Sequence, residues 1–176
     1  MDIFIEYMVK KKKGIQDYLL MFGISLFGVA ALFLVFVILM SIIPQIASII
    51  LLLVVGGFYG IYRLITSFNL EYEYSLVNSE MDVDKIINVR KRKRLTTVNL
   101  KGLEAFGTIG GSRSEYESYL RKANVEKIFA CIDKNDDSAC FAVYNEKEHQ
   151  KMLVFNPNDK MVDRIKKLNP FKTMQL

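Results

Sequence analysis

From Tyr18 to Tyr62 the chain carries no Asp, Glu, Lys or Arg, while the flanks on both sides are dense with charge. A single helix over those 45 residues would be roughly 68 Å long at about 1.5 Å per residue. A hydrocarbon core is only about 30 Å thick, so one straight helix overshoots it more than twofold. Two helices of about 20 residues each fit. The break is at Ser41-Ile42-Ile43-Pro44-Gln45. Pro44 lacks a backbone donor and disfavours helix in the residue before it, yet suits the start of a second helix. The sequence therefore predicts a transmembrane hairpin over residues 18–62, with spans at about 18–42 and 45–62. A cleaved secretory signal has an apolar core of only about 7–15 residues, far shorter than this run.

Basic residues beside the spans set the expected orientation. Lys10, Lys11, Lys12 and Lys13 precede the first helix, Arg63 follows the second, and the turn between them is uncharged. Both termini are expected in the cytoplasm, the chain being multi-pass in the plasma (inner) membrane. Cys131 and Cys140 would then lie in a reducing compartment and remain thiols.

Ahead of the hairpin, residues 1–17 read as an amphipathic cytoplasmic lead-in. A helix there would bring Ile3 to Tyr7 and Phe4 to Met8, and could lie among lipid headgroups. A frayed tail is the alternative. In the second span, Gly56 and Gly60 stand four apart, an arrangement that lets another helix approach closely. The first span of the same chain, with Gly23, Gly28, Ala30 and Ala31, is the nearest candidate, and a homodimer is the other.

After a short linker, residues 63–69, the pattern switches to period two. Leu70-Glu71-Tyr72-Glu73-Tyr74-Ser75-Leu76 alternates as a half-buried strand, Asn78-Ser79 turns, and a second strand runs through Met81 to Val89. The basic run Arg90, Lys91, Arg92, Lys93 and Arg94 leads into a third strand over residues 95–100, and a fourth covers 103–109. Ser114 and Glu117 resemble a capping box for a short helix within 112–122. Strands follow at 125–132, 140–144 and 150–155. A turn symmetric about Asn135-Asp136 would place Cys131 opposite Cys140. Asn156 as N-cap and Pro157 at the first helical position start a last helix, whose stripe is Met161, Val162, Ile165 and Leu168 and which Asn169-Pro170 ends.

Seven short strands and one amphipathic helix, over residues 70–176, resemble the element order of a pleckstrin-homology-like (PH-like) domain. The stretch Tyr74-Ser75-Leu76-Val77-Asn78-Ser79-Glu80-Met81-Asp82-Val83, then Arg90 to Arg94 and Thr96-Thr97-Val98-Asn99-Leu100, is similar to the opening of bacterial PH-like membrane domains. The whole chain resembles an uncharacterised bacterial family of two-helix membrane proteins, a domain of unknown function. The resemblance implies a partly open barrel of about seven antiparallel strands with a helix plugging one end. Residues 111–122 depart from a plain barrel.

The most pointed chemical feature is the basic run Arg90, Lys91, Arg92, Lys93 and Arg94. Held near the bilayer by the short linker, these cations could meet anionic lipid headgroups; a solvated hairpin is the bland alternative. Residues 63–176 hold 20 basic and 16 acidic residues, a net of +4, too balanced for a nucleic-acid partner. Asp133-Lys134-Asn135-Asp136-Asp137 imitates a calcium loop but has Ser138 at the glycine position and Tyr144 at the last ligand. Gly107-Thr108-Ile109-Gly110-Gly111 lacks the ending of a phosphate loop. His149, the only histidine, follows Glu146, Lys147 and Glu148 in a surface turn, and two cysteines alone do not make a zinc site. No ionisable residue lies within the spans, which argues against a proton or ion path built by this chain alone. The expectation is thus a non-enzyme without cofactor or metal: a membrane-tethered binding or scaffold module for a protein partner or anionic headgroups. An accessory subunit of a transporter or envelope enzyme, assembled through Gly56 and Gly60, is the alternative.

Overall fold

The computed structural model describes residues 4–134, 136–147 and 149–170. The chain divides into two compact units, Lys13–Asn69 and a second formed by Met1–Lys12 together with Leu70–Leu176. The apolar run thus interrupts the second unit's sequence instead of preceding it.

In the first unit, helix α1 spans Ile15–Ile42 and helix α2 spans Ala47–Thr66, with a 3-10 turn at Pro44–Ile46 between them. Both helices are long and apolar enough to cross a membrane. The break falls where the sequence places it, since Ile43 has left helical backbone and Pro44 opens the turn. Helix α1 starts earlier than expected because Asp17 accepts a hydrogen bond from the Gly14 N–H at 3.1 Å.

The seam between the two helices is reciprocal. A Cβ on Gly28 would lie 2.8 Å from Ile61 Cδ1, and one on Gly57 would collide with Leu32. Gly28 and Leu32 are one turn apart on α1, as are Gly57 and Ile61 on α2. Each helix therefore offers a hollow to the other's branched side chain. Gly56 and Gly60 do not form this seam; a Cβ on either meets open space. Successive helix positions point about 100° apart, so a face centred on Gly57 leaves its neighbours to the side.

The second unit holds two four-stranded sheets. The first has the order β1 (Phe4–Lys10), β2 (Leu70–Val77), β3 (Glu80–Ile87) and β4 (Lys91–Asn99), all antiparallel. Residues 4–10 of the lead-in are therefore neither a surface helix nor a frayed tail. Phe4–Lys10 is an edge strand, with Lys10 opposite Glu71 and Val9 buried in the core. Ile3, half of one expected pair, lies outside the described residues. The alternation Ile5, Tyr7, Val9 suits a strand as well as the four-residue spacing suits a helix, and the partner strand decides.

The second sheet contains β5 (Leu103–Thr108), β6 (Val125–Ala130), β7 (Cys140–Glu146) and β8 (His149–Phe155), in the order β5-β7-β8-β6. Strand β6 pairs parallel with β8, so the expected β6–β7 hairpin is absent and β8 lies between them. Cys140 stands opposite Phe155, not Cys131. Helix α3 (Arg113–Arg121) connects β5 to β6 at the opposite edge of the sheet and buries Tyr116 near Phe141. Its N-cap is Ser112, not Ser114. The described residues form eight strands in two sheets, with one parallel pair, where about seven antiparallel strands were expected.

One core joins the sheets. Tyr72, Tyr74, Leu76, Met81, Val83 and Val98 from the first meet Phe106, Ala142, Tyr144, Leu153 and Phe155 from the second. Burial pushes the Tyr74 hydroxyl up, so it stays protonated and donates to the Ala130 carbonyl while accepting from the Asn156 N–H at 3.3 Å. The final helix, α4 (Asp159–Leu168), adds Met161 and Ile165 to the core. Its N-cap is Asn158, which accepts from the Met161 N–H at 2.9 Å. Asn156 instead accepts from the Ile132 N–H and donates to Asp136, tying down the loop after β6.

Overpacking a filled seam costs about 1–3 kcal/mol. Gly57→Leu should therefore lower the melting temperature of the detergent-solubilised hairpin, followed by helical circular dichroism, and Gly60→Leu should leave it unchanged. Equal melting of the two variants would contradict the seam.

Candidate functional site

The basic run is part of β4 itself, so strand alternation divides it. Arg92 and Arg94 fall on the outer face of the first sheet, which also presents Glu71 and Glu73 from β2 and Asp82 and Asp84 from β3. Arg92 Nη2 lies 2.6 Å from Glu73 Oε2. Arg94 holds Asp84 at 2.5 Å and Asp82 at 2.7 Å, and Thr97 donates to Asp82 at 2.7 Å. Lys10 reaches Glu71 at 3.4 Å. The hydrogen bond to Asp84, and then the charge of Asp82, raise the Arg94 pKa above its ordinary value. Glu73 is only 3% exposed, and the Arg92 guanidinium offsets part of the cost of burying its carboxylate.

Two of the five candidate headgroup contacts, Arg92 and Arg94, are thus engaged within the sheet. Arg90, Lys91 and Lys93 are exposed, and no ion pair holds them among the described residues. Lys93 stands opposite Lys85, a like-charge juxtaposition that no carboxylate in the register relieves. The sequence signal for this division was present: two acids at spacing two on each of β2 and β3 answer two arginines at spacing two.

Strand β3 ends at Ile87, earlier than the alternation suggested. Asn88 and Val89 have φ of 51° and 59°, and the Arg90 N–H closes the turn on the Ile87 carbonyl at 3.2 Å. Positive φ at both central residues is the geometry of a primed hairpin turn, for which Asn followed by Gly is favoured. Val in the second place hides that signal in the sequence. Leu70 pairs with Ile87, so the turn lies at the end of the sheet where β2 begins and β1 finishes.

A cleft of about 280 Å³ opens near the same end, between Tyr72, Lys85 and Leu95 of the first sheet and residues 126–129 of β6. A second, of about 440 Å³, lies beside α3, where Arg113 pairs with Asp137 at 3.2 Å and with Glu117 at 3.6 Å. Both cysteines are buried, Cys131 under α3 and Cys140 in the core between the sheets. Burial pushes their thiols up, to about 11 and about 12, so neither is an activated nucleophile. Asp136 accepts from the Ser138 hydroxyl at 2.6 Å and from Asn156 at 3.0 Å, which makes the calcium-like stretch a loop tied by its own hydrogen bonds. Asn135, its centre, lies outside the described residues. His149 is the exposed first residue of β8, opposite Glu146. Among the described residues no group of His, Cys, Asp or Glu is placed to hold a metal.

Two packed sheets share one core with the C-terminal helix, and a long apolar hairpin is inserted between the first two strands. The family model for a bacterial PH-like domain, DUF6106, matches residues 1–175, and the chain belongs to that family. No curated protein and no solved structure matches the chain.

Removing the cation over a buried carboxylate leaves a charge that must be solvated or neutralised. Arg92→Gln should destabilise the second unit by about 1–3 kcal/mol in chemical denaturation. Lys93→Gln should be neutral or stabilising because it relieves the Lys85 repulsion; equal losses from both would contradict the division of the run.

Proposed function

We propose that the chain is a non-enzymatic, membrane-tethered binding module, its hairpin crossing the inner membrane and its PH-like unit facing the cytoplasm to recognise anionic headgroups or a protein partner. The observation that carries this reading is the insertion of the hairpin between two hydrogen-bonded neighbours, β1 and β2. Strands that pair in one sheet must lie on the same side of a bilayer, so both ends of the hairpin emerge together. Lys11, Lys12, Lys13 and Arg63 beside those ends favour the cytoplasmic side. Only Ser67, Phe68 and Asn69 separate α2 from β2, a reach of roughly 14 Å from Thr66 to Leu70. Within that reach Arg90, Lys91 and Lys93 are available to an anionic leaflet, each contributing about 1 kcal/mol.

The test uses the full chain in nanodiscs of neutral lipid with and without phosphatidylglycerol. Amide hydrogen exchange over residues 88–94 should slow several-fold when the anionic lipid is present. Changing Arg90, Lys91 and Lys93 together to Gln should abolish that difference. Identical exchange in both lipids would exclude headgroup recognition and leave the protein partner.

A second reading, an accessory subunit of a transporter or envelope enzyme, draws on Gly56 and Gly60, whose open faces the hairpin seam does not use. Crosslinking in native membranes should then yield a heterologous complex that Gly60→Leu weakens and Lys101→Gln does not. A self-crosslink with the same sensitivity would indicate a homodimer instead.

A further inference from the structure

We propose that the β3–β4 turn is a bilayer-inserting tip, with Val89 seated beneath the headgroups and Arg90 and Lys91 on the phosphates above it. This deepens the reading of the hairpin as membrane-spanning and rests on it. Val89 is 76% exposed, the most exposed of the large apolar side chains described in the sheet-bearing unit; Phe4 is next at 64%. It also has a φ of 59°, a left-handed backbone that a β-branched residue adopts only under strain. Two separate costs, exposure and strain, therefore coincide on one side chain. In water a Gly at this turn position would remove both.

Its surroundings identify what the tip meets. The turn lies one register position beyond the Leu70–Ile87 pair, at the end of the sheet joined to α2 by three residues. Lys91 pairs opposite Ile87, so Arg90 and Lys91 follow the tip directly back into the strand. An apolar point backed by cations matches the layering of an anionic leaflet, with acyl chains beneath phosphates. The opposite end of the sheet is built differently. There Arg164 of α4 donates to the Asn78 carbonyl at 3.3 Å, and the Leu100 N–H donates to Ser79 at 2.8 Å, so the β2–β3 turn is covered by its own chain.

The chain contains no tryptophan, so a single introduced one reports on its own position. The experiment places Val89→Trp or, at the opposite end, Lys101→Trp in the full chain reconstituted into vesicles containing phosphatidylglycerol. Emission wavelength and quenching by brominated acyl chains are then read. Val89→Trp should emit to the blue of Lys101→Trp and be quenched at least threefold more strongly. Equal quenching with water-like emission from both overturns the tip, including in favour of a turn that meets a protein partner. A second comparison keeps the same indole in both proteins, so that its own tendency to insert cancels. With Lys91→Trp as reporter, Val89→Asn suits the left-handed backbone and should melt no lower than the parent, yet quenching should fall at least twofold. Unchanged quenching in that variant also overturns the proposal. Quenching at Val89→Trp that is identical in purely neutral vesicles supports insertion while removing anionic recognition. Anion-dependent exchange protection without quenching removes insertion and leaves that recognition standing.

Discussion

The ladder between Phe4–Lys10 and Leu70–Val77 is the constraint on which the rest of the molecule depends. It joins residues on either side of the apolar hairpin, and the Lys11 and Lys12 N–H groups extend it to the Leu70 and Ile132 carbonyls at 2.9 and 2.8 Å. Lys12 thereby ties the strand's exit to the loop after β6, linking the edge of one sheet to the other. Loop-closure entropy rises only slowly with the length of the intervening chain. An ordered hairpin whose helices pack side by side reduces the cost further. Without β1, β2 would become an open edge and Val9 would leave the core.

The two sheets satisfy their outer faces by different physics. The second is covered on both sides, by the first sheet and by α3, so Cys140, Phe141, Ala142, Val143 and Tyr144 are all buried in succession. The first has one face in the core and turns the other into a lattice of cross-strand charges. That lattice consumes Arg92 and Arg94 and shields Glu73 and Asp84. What a basic run offers to a partner is decided by strand alternation: one set of its cations is structural, the other is left at the turn and on the opposite face.

Much of this was legible in the sequence for identifiable reasons. A charge-free run bounded by lysines and broken by Pro44 admits few solutions, and the hairpin follows. Strict alternation in residues 70–76 marks β2. The charged amphipathic stripe marks α4, although its cap is Asn158 because the segment 156–158 is held in extended form by contacts to Ile132 and Asp136. Topology was less accessible. Whether Phe4–Lys10 is helix or strand is settled by a partner more than fifty residues away, and β6 joins β8 in parallel because α3 delivers it to the far edge of the sheet. The seam glycines were confounded by adjacency: Gly56, Gly57 and Gly60 look alike in sequence, and only the rotation of the helix selects Gly57. Among the candidate cations, Arg92 and Arg94 have their counterions on other strands, beyond the reach of a local pattern, and Val89 stands in a turn written without its usual glycine.

The placement of β1 also imposes an order on the making of the protein. The strand is synthesised before either helix and has no partner until β2 follows the second. If α1 alone inserted and α2 failed to return, β2 would emerge across the membrane from β1 and the sheet could not close. Tyr72 and Tyr74 would then lack their edge cover, and the unfolded segment would be open to membrane-associated proteases. The β1–β2 ladder can therefore close only if the chain crosses a bilayer an even number of times between the two strands, and a single crossing would leave the sheet open.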